Sequence, residues 1–133
     1  MNYLATIEKW LLETLTDLPG VVGGVHNGVV IQGEPTPYAL FSLQGNRTET
    51  ALCGDVCAVY AVYAVRVVGV DTGYEPLTEA ETEILARLDN VFVVIGEAGL
   101  SVTLQSPLRR ATANAGGSDY YEAGGLFAVL LTP

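Results

Sequence analysis

The chain has 133 residues, the usual size of one domain, and half of them are hydrophobic, which is enough for a core. Its 15 acidic and 6 basic residues give a net charge of −9, which excludes sequence-specific DNA binding but leaves passive exclusion of DNA from a conduit wall open. No uncharged apolar run is long enough for a membrane span, and Glu8 and Lys9 interrupt the first apolar stretch, so we expect no signal peptide and synthesis in the cytoplasm.

The first predicted element is an amphipathic helix. Apolar residues recur every three or four positions from Leu4 to Leu18, which predicts one helical stripe that packs on the core. Pro19 and Gly20 end this helix, because proline cannot continue it and glycine accepts the reversal of the chain.

Strands are predicted next, separated by glycine and proline. Val29–Ile31 is a short strand within the Gly- and Pro-rich segment 20–37, Tyr38–Leu43 is a second strand, and Gln44–Gly54 is a polar loop. Val56–Val70 is the longest strand, and both of its faces are largely apolar, which suits a central strand covered on both sides. Fully extended it would reach about 50 Å, so we expect it to bend or to continue into a hairpin arm.

A second helix is predicted from Thr78 to about Asn90. Thr78 and Glu81 are spaced as a capping box, and the apolar stripe continues to Phe92. Acidic residues dominate this part of the chain, and they are either a solvated helix face or an inward-facing acidic surface in a ring. The candidates for that surface are Glu75, Glu79, Glu81 and Glu83.

The last predicted elements form a β-hairpin. Leu100–Leu104 alternates as a half-buried strand, Ser106–Gly117 is a mobile loop, and Tyr120–Leu131 is the final strand, with a bend or bulge at 123–125. Together the elements predict a single α+β domain over 1–133. Its sheet is mostly antiparallel, with a long central strand and a closing β-hairpin, and it packs against two α-helices.

Motifs of catalysis, metal binding or phosphate binding are not evident, so we expect no enzyme activity, no cofactor and no metal. Cys53 and Cys57 are too few for a zinc site and are not spaced as a redox pair, which favours reduced thiols. His26 has no nucleophile beside it and is interpreted as a turn residue. Arg109 and Arg110 are either an intersubunit ion-pair site or a solvated loop pair.

The order of these elements resembles that of the tail terminator, or tail-completion, proteins of long-tailed bacteriophages. The resemblance covers most of the chain and is carried by the helix that ends at Leu18-Pro19-Gly20, the Gly-x-Pro-x-Pro-Tyr segment 33–38, the long Val/Tyr strand 59–70, the helix after Leu77-Thr78-Glu79, and the closing hairpin with Arg109-Arg110 and Tyr120-Tyr121. The long strand is more apolar, and the final loop longer and richer in glycine, than that pattern leads one to expect.

This resemblance implies a virion protein of the tail or neck. It would form a homo-hexameric ring that caps the tail tube, ends tube polymerisation and joins the tail to the head-side connector, with DNA passing through the ring and no membrane involved. The candidate interface residues are Arg47, Arg109, Arg110, Asn114, Tyr120 and Tyr121. Two alternatives remain open: another neck component, such as a head-completion or head–tail adaptor protein, and an unrelated small binding module or enzyme.

Overall fold

The computed structural model describes residues 2–30, 33–52, 54–107 and 110–133. In those ranges the chain forms two helices and seven strands. Their order is α1 (Tyr3–Thr14), β1 (Val25–Asn27), β2 (Tyr38–Thr50), β3 (Val56–Val70), α2 (Glu75–Leu88), β4 (Val91–Ile95), β5 (Ala98–Pro107), β6 (Ala111–Ala115) and β7 (Ser118–Thr132).

The strands join one curled sheet with the shape of a half-barrel. Its order is β1-β2-β3-β7-β5-β4, and β6 also pairs with β7. The prediction of an α+β fold with a mostly antiparallel sheet is wrong, because 52% of the described residues lie in strands and β1 pairs with β2 in parallel, which makes the sheet mixed. Residues 28–37 connect the two strands, which is longer than the two-residue turn that joins an antiparallel hairpin.

β3 and β7 form the centre of the sheet. β3 has the predicted bounds, and it pairs with β2 on one side and with β7 on the other. Gly124 of β7 lies so close to β3 that a Cβ there would meet the Val65 carbonyl oxygen and the Arg66 Cα. The predicted irregularity at 123–125 is absent from the β3–β7 register. The register shift instead lies on β5, between Leu104 and Ser106.

Both helices contribute to one core on the same side of the sheet. Ile7, Leu11 and Leu15 from the first helical segment join Leu77 and Ile84 of α2 in a buried cluster. The remaining members of the cluster include alternate residues of the central strands, among them Val59, Ala61, Tyr63, Val65 and Val67 of β3 and Phe127, Val129 and Leu131 of β7. The residues between them therefore point away from the helices.

Each helix begins with a different device. The Asn2 side chain accepts a hydrogen bond from the Ala5 backbone N–H at 3.0 Å and caps α1. α2 begins earlier than predicted, at Glu75, with Pro76 in its first turn, where the missing N–H of proline is tolerated. The predicted capping box is wrong, because Thr78 lies inside the helix and its hydroxyl donates to the Tyr74 carbonyl oxygen at 3.3 Å.

Arg87 of α2 connects the two helices. Its guanidinium donates to the Thr14 carbonyl oxygen at 3.1 Å and to the Thr16 carbonyl oxygen at 2.7 Å, both of which lie at the C-terminal end of α1. The same side chain pairs with the Glu83 carboxylate at 2.8 Å. A cation on α2 thus satisfies carbonyl groups that the end of α1 leaves without helical partners.

The predicted polar loop at Gln44–Gly54 is wrong. β2 continues to Thr50 and pairs with the beginning of β3, so that the described residues of 44–57 form a hairpin, which we call the arm. Most of its described residues are exposed. The Ala51 backbone N–H donates to the Asp55 carbonyl oxygen at 2.7 Å and closes the tip.

The described part of the predicted mobile loop at Ser106–Gly117 is also ordered as strand. β6 pairs with β7, and only Gly116 and Gly117 form the turn between them. Their φ angles of 61° and 84° are both positive, as a two-residue type I′ hairpin turn requires.

Two further assignments are corrected. Val29 and Val30 lie outside any strand, and the third residue of that predicted strand, Ile31, is outside the described residues. Phe92 belongs to β4 and is 66% exposed, so it does not continue the buried stripe of α2.

Candidate functional site

The face of the sheet that points away from the helices is a shallow apolar concavity, which we call the open face. It is defined by two rows of residues in cross-strand register. One row contains Arg47, Tyr60, Leu130, Ser101 and Phe92, and the other contains Gly45, Val62, Ala128 and Thr103. Over these rows the curl of the sheet leaves a cavity of about 640 Å³.

The chemistry of the open face is apolar with a charged border. Val62, Ala128 and Leu130 lie at its centre, and Arg47 is the charged residue among the described residues that line the cavity. The Arg47 guanidinium lies 4.4 Å from the centre of the Tyr60 ring and 3.7 Å from the Glu49 carboxylate. An aromatic ring beneath a cation is a common element of protein interfaces.

β4 extends the apolar surface to the edge of the sheet. Phe92 and Val94 are each 66% exposed, and they point to the same side as the open face, because Phe92 pairs with Ser101 and its ring lies against Gly99. Single exposed apolar residues are ordinary on protein surfaces, whereas a contiguous set commonly marks an interaction site.

The other end of this sheet face is more polar and partly covered. Arg66 and Glu122 form an ion pair at 3.6 Å. Tyr38 lies nearby, and burial, followed by the negative charge of Glu122, raises its pKa above the ordinary value. Here Glu34 helps to line a second cavity of about 210 Å³. The ligand-sized apolar surface is therefore confined to the end of the face near the arm.

The arginine candidates fall into different settings. Arg47 lies on the border of the open face. Arg110 lies instead near the helical layer, where its guanidinium is 3.8 Å from the Glu81 carboxylate and 5.3 Å from the centre of the Tyr74 ring. Arg109 is outside the described residues.

The remaining interface candidates lie on the β6–β7 hairpin. The Asn114 side-chain amide donates to the Asp119 carboxylate at 2.8 Å, within the hairpin. Tyr121 packs edge-to-face on Tyr74 at 5.1 Å, so it connects the hairpin to α2. Tyr120 is half-buried and lines the second cavity. These contacts are intramolecular, and an interface role for these residues stays a prediction.

The four acidic candidates lie together on α2, in the layer opposite the open face. Glu75 and Glu79 are exposed. Glu81 contacts Arg110, and Glu83 pairs with Arg87, so half of the set has an ion-pair partner within the chain. The molecule therefore has an acidic helical side and an apolar sheet side.

Groups suited to catalysis are sparse in the part of the chain that the structure describes. No three His, Cys, Asp or Glu side chains are placed there to hold a metal ion. The interpretation of His26 as a turn residue is wrong, because His26 lies in β1 and pairs with Leu40. Its Nε2 atom lies 2.8 Å from the Gly23 carbonyl oxygen, and its ring packs on Tyr38. Cys57 is exposed, and Cys53 is outside the described residues. No helix in this part of the chain is long and apolar enough to span a membrane.

The open face and the tip of the arm were not singled out from the sequence. The signal was present in β3, whose two faces are both apolar, but it was interpreted as a strand covered on both sides. Leu52 at the tip is 111% exposed, and a single leucine in a polar segment gives no periodic pattern.

Comparison with known proteins bears on the fold alone. The sequence matches no protein-family model and no curated protein. A solved structure with 14% sequence identity has a similar fold, with a TM-score of 0.60 over 98% of this chain and 93% of that chain. This similarity shows that the whole chain adopts an architecture found in another protein.

Proposed function

We propose that this protein is a structural subunit of a long-tailed phage virion, which forms a hexameric ring on the end of the tail tube. In this role the ring stops tube polymerisation and provides the surface to which the head-side connector attaches, and DNA passes through its centre. The order of elements in the sequence supports the family, and the open face supports assembly.

The observation that carries the proposal is the open face. A row of residues that crosses five strands ends in Phe92, with 66% of its surface exposed, and a cavity of about 640 Å³ lies over the centre of the sheet. Apolar surface of this extent, on a chain of mean hydropathy +0.35, is typical of a subunit whose sheet is covered in an assembly. The net charge of −9 is compatible with a channel that does not hold DNA.

The first test is the native mass of the protein by light scattering, with negative-stain imaging of the same fraction. Six-fold rings with an open centre are the expected result. The functional test adds the protein to growing tail tubes. A ring that caps the tip should shorten the tubes when only a few copies of the protein are added per tube.

A pair of matched variants connects this test to the open face. Thr103→Lys places a charge among the exposed residues of the open face, and Thr82→Lys places the same charge on the exposed side of α2. We expect Thr103→Lys to abolish ring formation and tube capping, and Thr82→Lys to retain both. Normal capping by Thr103→Lys would contradict a role for the open face in assembly, and tubes of unchanged length with the wild-type protein would refute the proposed function.

A further inference from the structure

We infer that the open face receives the tip of the arm of a neighbouring copy, with Leu52 as the anchoring side chain. The inference rests on the proposed function, since it names the contact through which the ring would form. It is carried by two surfaces that the fold separates: an apolar concavity with no side chain of its own tip in it, and a fully exposed leucine at the end of a projecting hairpin.

The Leu52 side chain is fully exposed to solvent. Its relative exposure is 111%, the highest among the exposed large hydrophobic residues of the described chain. Backbone hydrogen bonds on both sides of it, from Ala51 to Asp55 and from Gly54 to Ala51, at 2.7 and 2.9 Å, close the tip. A hairpin tip closed in this way presents the leucine outward at little further cost in conformational entropy, which favours binding.

The tip cannot reach the concavity of its own chain. Arg47 marks the border of the concavity, and from there β2 runs outward, extended, toward the tip. At about 3.3 Å per residue, Leu52 lies on the order of 16 Å beyond Arg47, pointing away from the concavity. If an arm tip occupies the concavity, it must therefore belong to a second copy of the protein.

Charge favours this contact over other ways of bringing two copies together. With a net charge of −9, the protein repels its own copies wherever the acidic helical side is involved. The described lining of the concavity carries the positive Arg47, which lies 3.7 Å from Glu49 of the same arm, and the tip carries the negative Asp55. Docking of the tip at the open face places these opposite charges near each other and keeps α2 away from the interface.

The area available indicates that a single contact is weak and that an assembly is stable when each copy makes the contact twice. A standard interface buries about 800 Å² per partner with some 20–30 residues, or roughly 30 Å² per residue. The nine described residues of the arm beyond Arg47 (48–52 and 54–57) then bury on the order of 270 Å², so a single contact holds two copies together only at high protein concentration. In a closed ring each copy contributes one arm and one open face, so two contacts act on every copy and the buried area per copy doubles.

The test uses four full-length variants that each add one positive charge relative to the wild type. Leu52→Lys disables the tip and Thr103→Lys disables the open face. Val22→Lys and Thr82→Lys are the controls, because Val22 is 71% exposed in a loop outside both surfaces and Thr82 is on α2. We expect each disabling variant to weaken self-association on the order of 100-fold or more, as the loss of a central apolar anchor does, and the controls to associate as the wild type.

Mixing the two disabling variants gives the decisive result. The intact tip of Thr103→Lys fits the intact open face of Leu52→Lys, but the resulting pair has no further usable surface. At a protein concentration high enough to populate a single contact, the mixture should therefore contain heterodimers of twice the 14.0 kDa subunit mass, although each variant alone is monomeric at the same concentration. A mixture that stays monomeric would overturn the inference, as would self-association of Leu52→Lys at wild-type strength, since another segment would then cover the open face.

The outcome for the wild-type protein separates this inference from the proposed function. If the wild-type protein forms open-ended chains of subunits and Leu52→Lys does not, the result would support the contact and contradict a closed ring. Rings that persist in Leu52→Lys would overturn the contact and leave the ring standing. A wild-type protein that is monomeric at every concentration would overturn the contact, and the tail-tube assay would then decide the function by itself.

Discussion

Replacement of Arg87 by methionine tests whether a side chain from α2 stabilises the end of α1. The variant keeps an unbranched apolar side chain of similar length and removes the guanidinium, which donates to three backbone carbonyl oxygens, those of Thr14, Thr16 and Asp17, at 3.1, 2.7 and 3.4 Å. Hydrogen bonds to charged groups contribute about 1.5–3 kcal/mol each, and these lie near the surface, where water replaces part of the loss. The ion pair with Glu83 adds a few tenths of a kcal/mol, as such pairs do at i,i+4. We expect a total loss of about 2–3 kcal/mol.

The assay is urea unfolding of both proteins at one fixed concentration, because association changes apparent stability. In a thermal unfolding experiment on a domain of this size, the same loss of about 2–3 kcal/mol lowers Tm by roughly 6–12 °C. Arg87→Lys should lie between the two, since an ammonium group keeps the charge but lacks the planar fork that reaches the three carbonyl groups. Lys9→Met is the control at an exposed position of α1. An Arg87→Met protein within 0.5 kcal/mol of the wild type, on the order of an ordinary surface substitution, would refute the reasoning.

Three other changes follow from the central strands and the hairpin turn. The Tyr63 hydroxyl is buried without a hydrogen-bond partner in the described part of the chain, and burial raises its pKa. Tyr63→Phe should therefore raise the free energy of unfolding by about 1 kcal/mol in urea. It should also reduce the loss of stability above a pH of about 10, because there the tyrosine ionises in the unfolded chain alone. Gly124→Ala should cost several kcal/mol by the same assay, because the added methyl group meets the β3 backbone; a stable variant would show that the strands can separate locally. Gly116→Asn should change thermal stability by less than about 0.5 kcal/mol, since Asn-Gly suits a type I′ turn, whereas Gly116→Val should lose more than about 1 kcal/mol; equal melting temperatures would contradict the turn assignment.

The elements that the sequence predicted well are those whose local pattern and tertiary setting agree. β3 was placed with its observed bounds, because a long run of valine, tyrosine and alanine suits only a strand when no helical period is present. The outer half of β2 was missed, since its exposed polar residues have no buried face to produce alternation. β6 was missed for a related reason: its alanines and polar residues join the sheet only through pairing with β7.

The candidate site depended on contacts that are distant along the chain. Phe92 continued the spacing of the α2 stripe, and only its pairing with Ser101 reveals that it belongs to a strand and to the open face. The sequence predicts Arg110 as either an intersubunit ion-pair residue or a solvated loop residue, and within the chain its guanidinium lies near Glu81. Spacing along a sequence cannot distinguish an intramolecular ion pair from an intersubunit one, because both satisfy the same charge.

The position of β7 also determines the order in which the protein can fold. β7 lies between β3 and β5, so it is the strand that joins β1, β2 and β3 to β4 and β5, although it follows all of them in the chain. Such non-local pairing makes folding slow, because the connecting chain must be ordered before the contacts form. During synthesis one edge of β3 and one edge of β5 therefore stay unpaired until β7 has left the ribosome, and an unpaired strand edge is a site at which a nascent chain can aggregate.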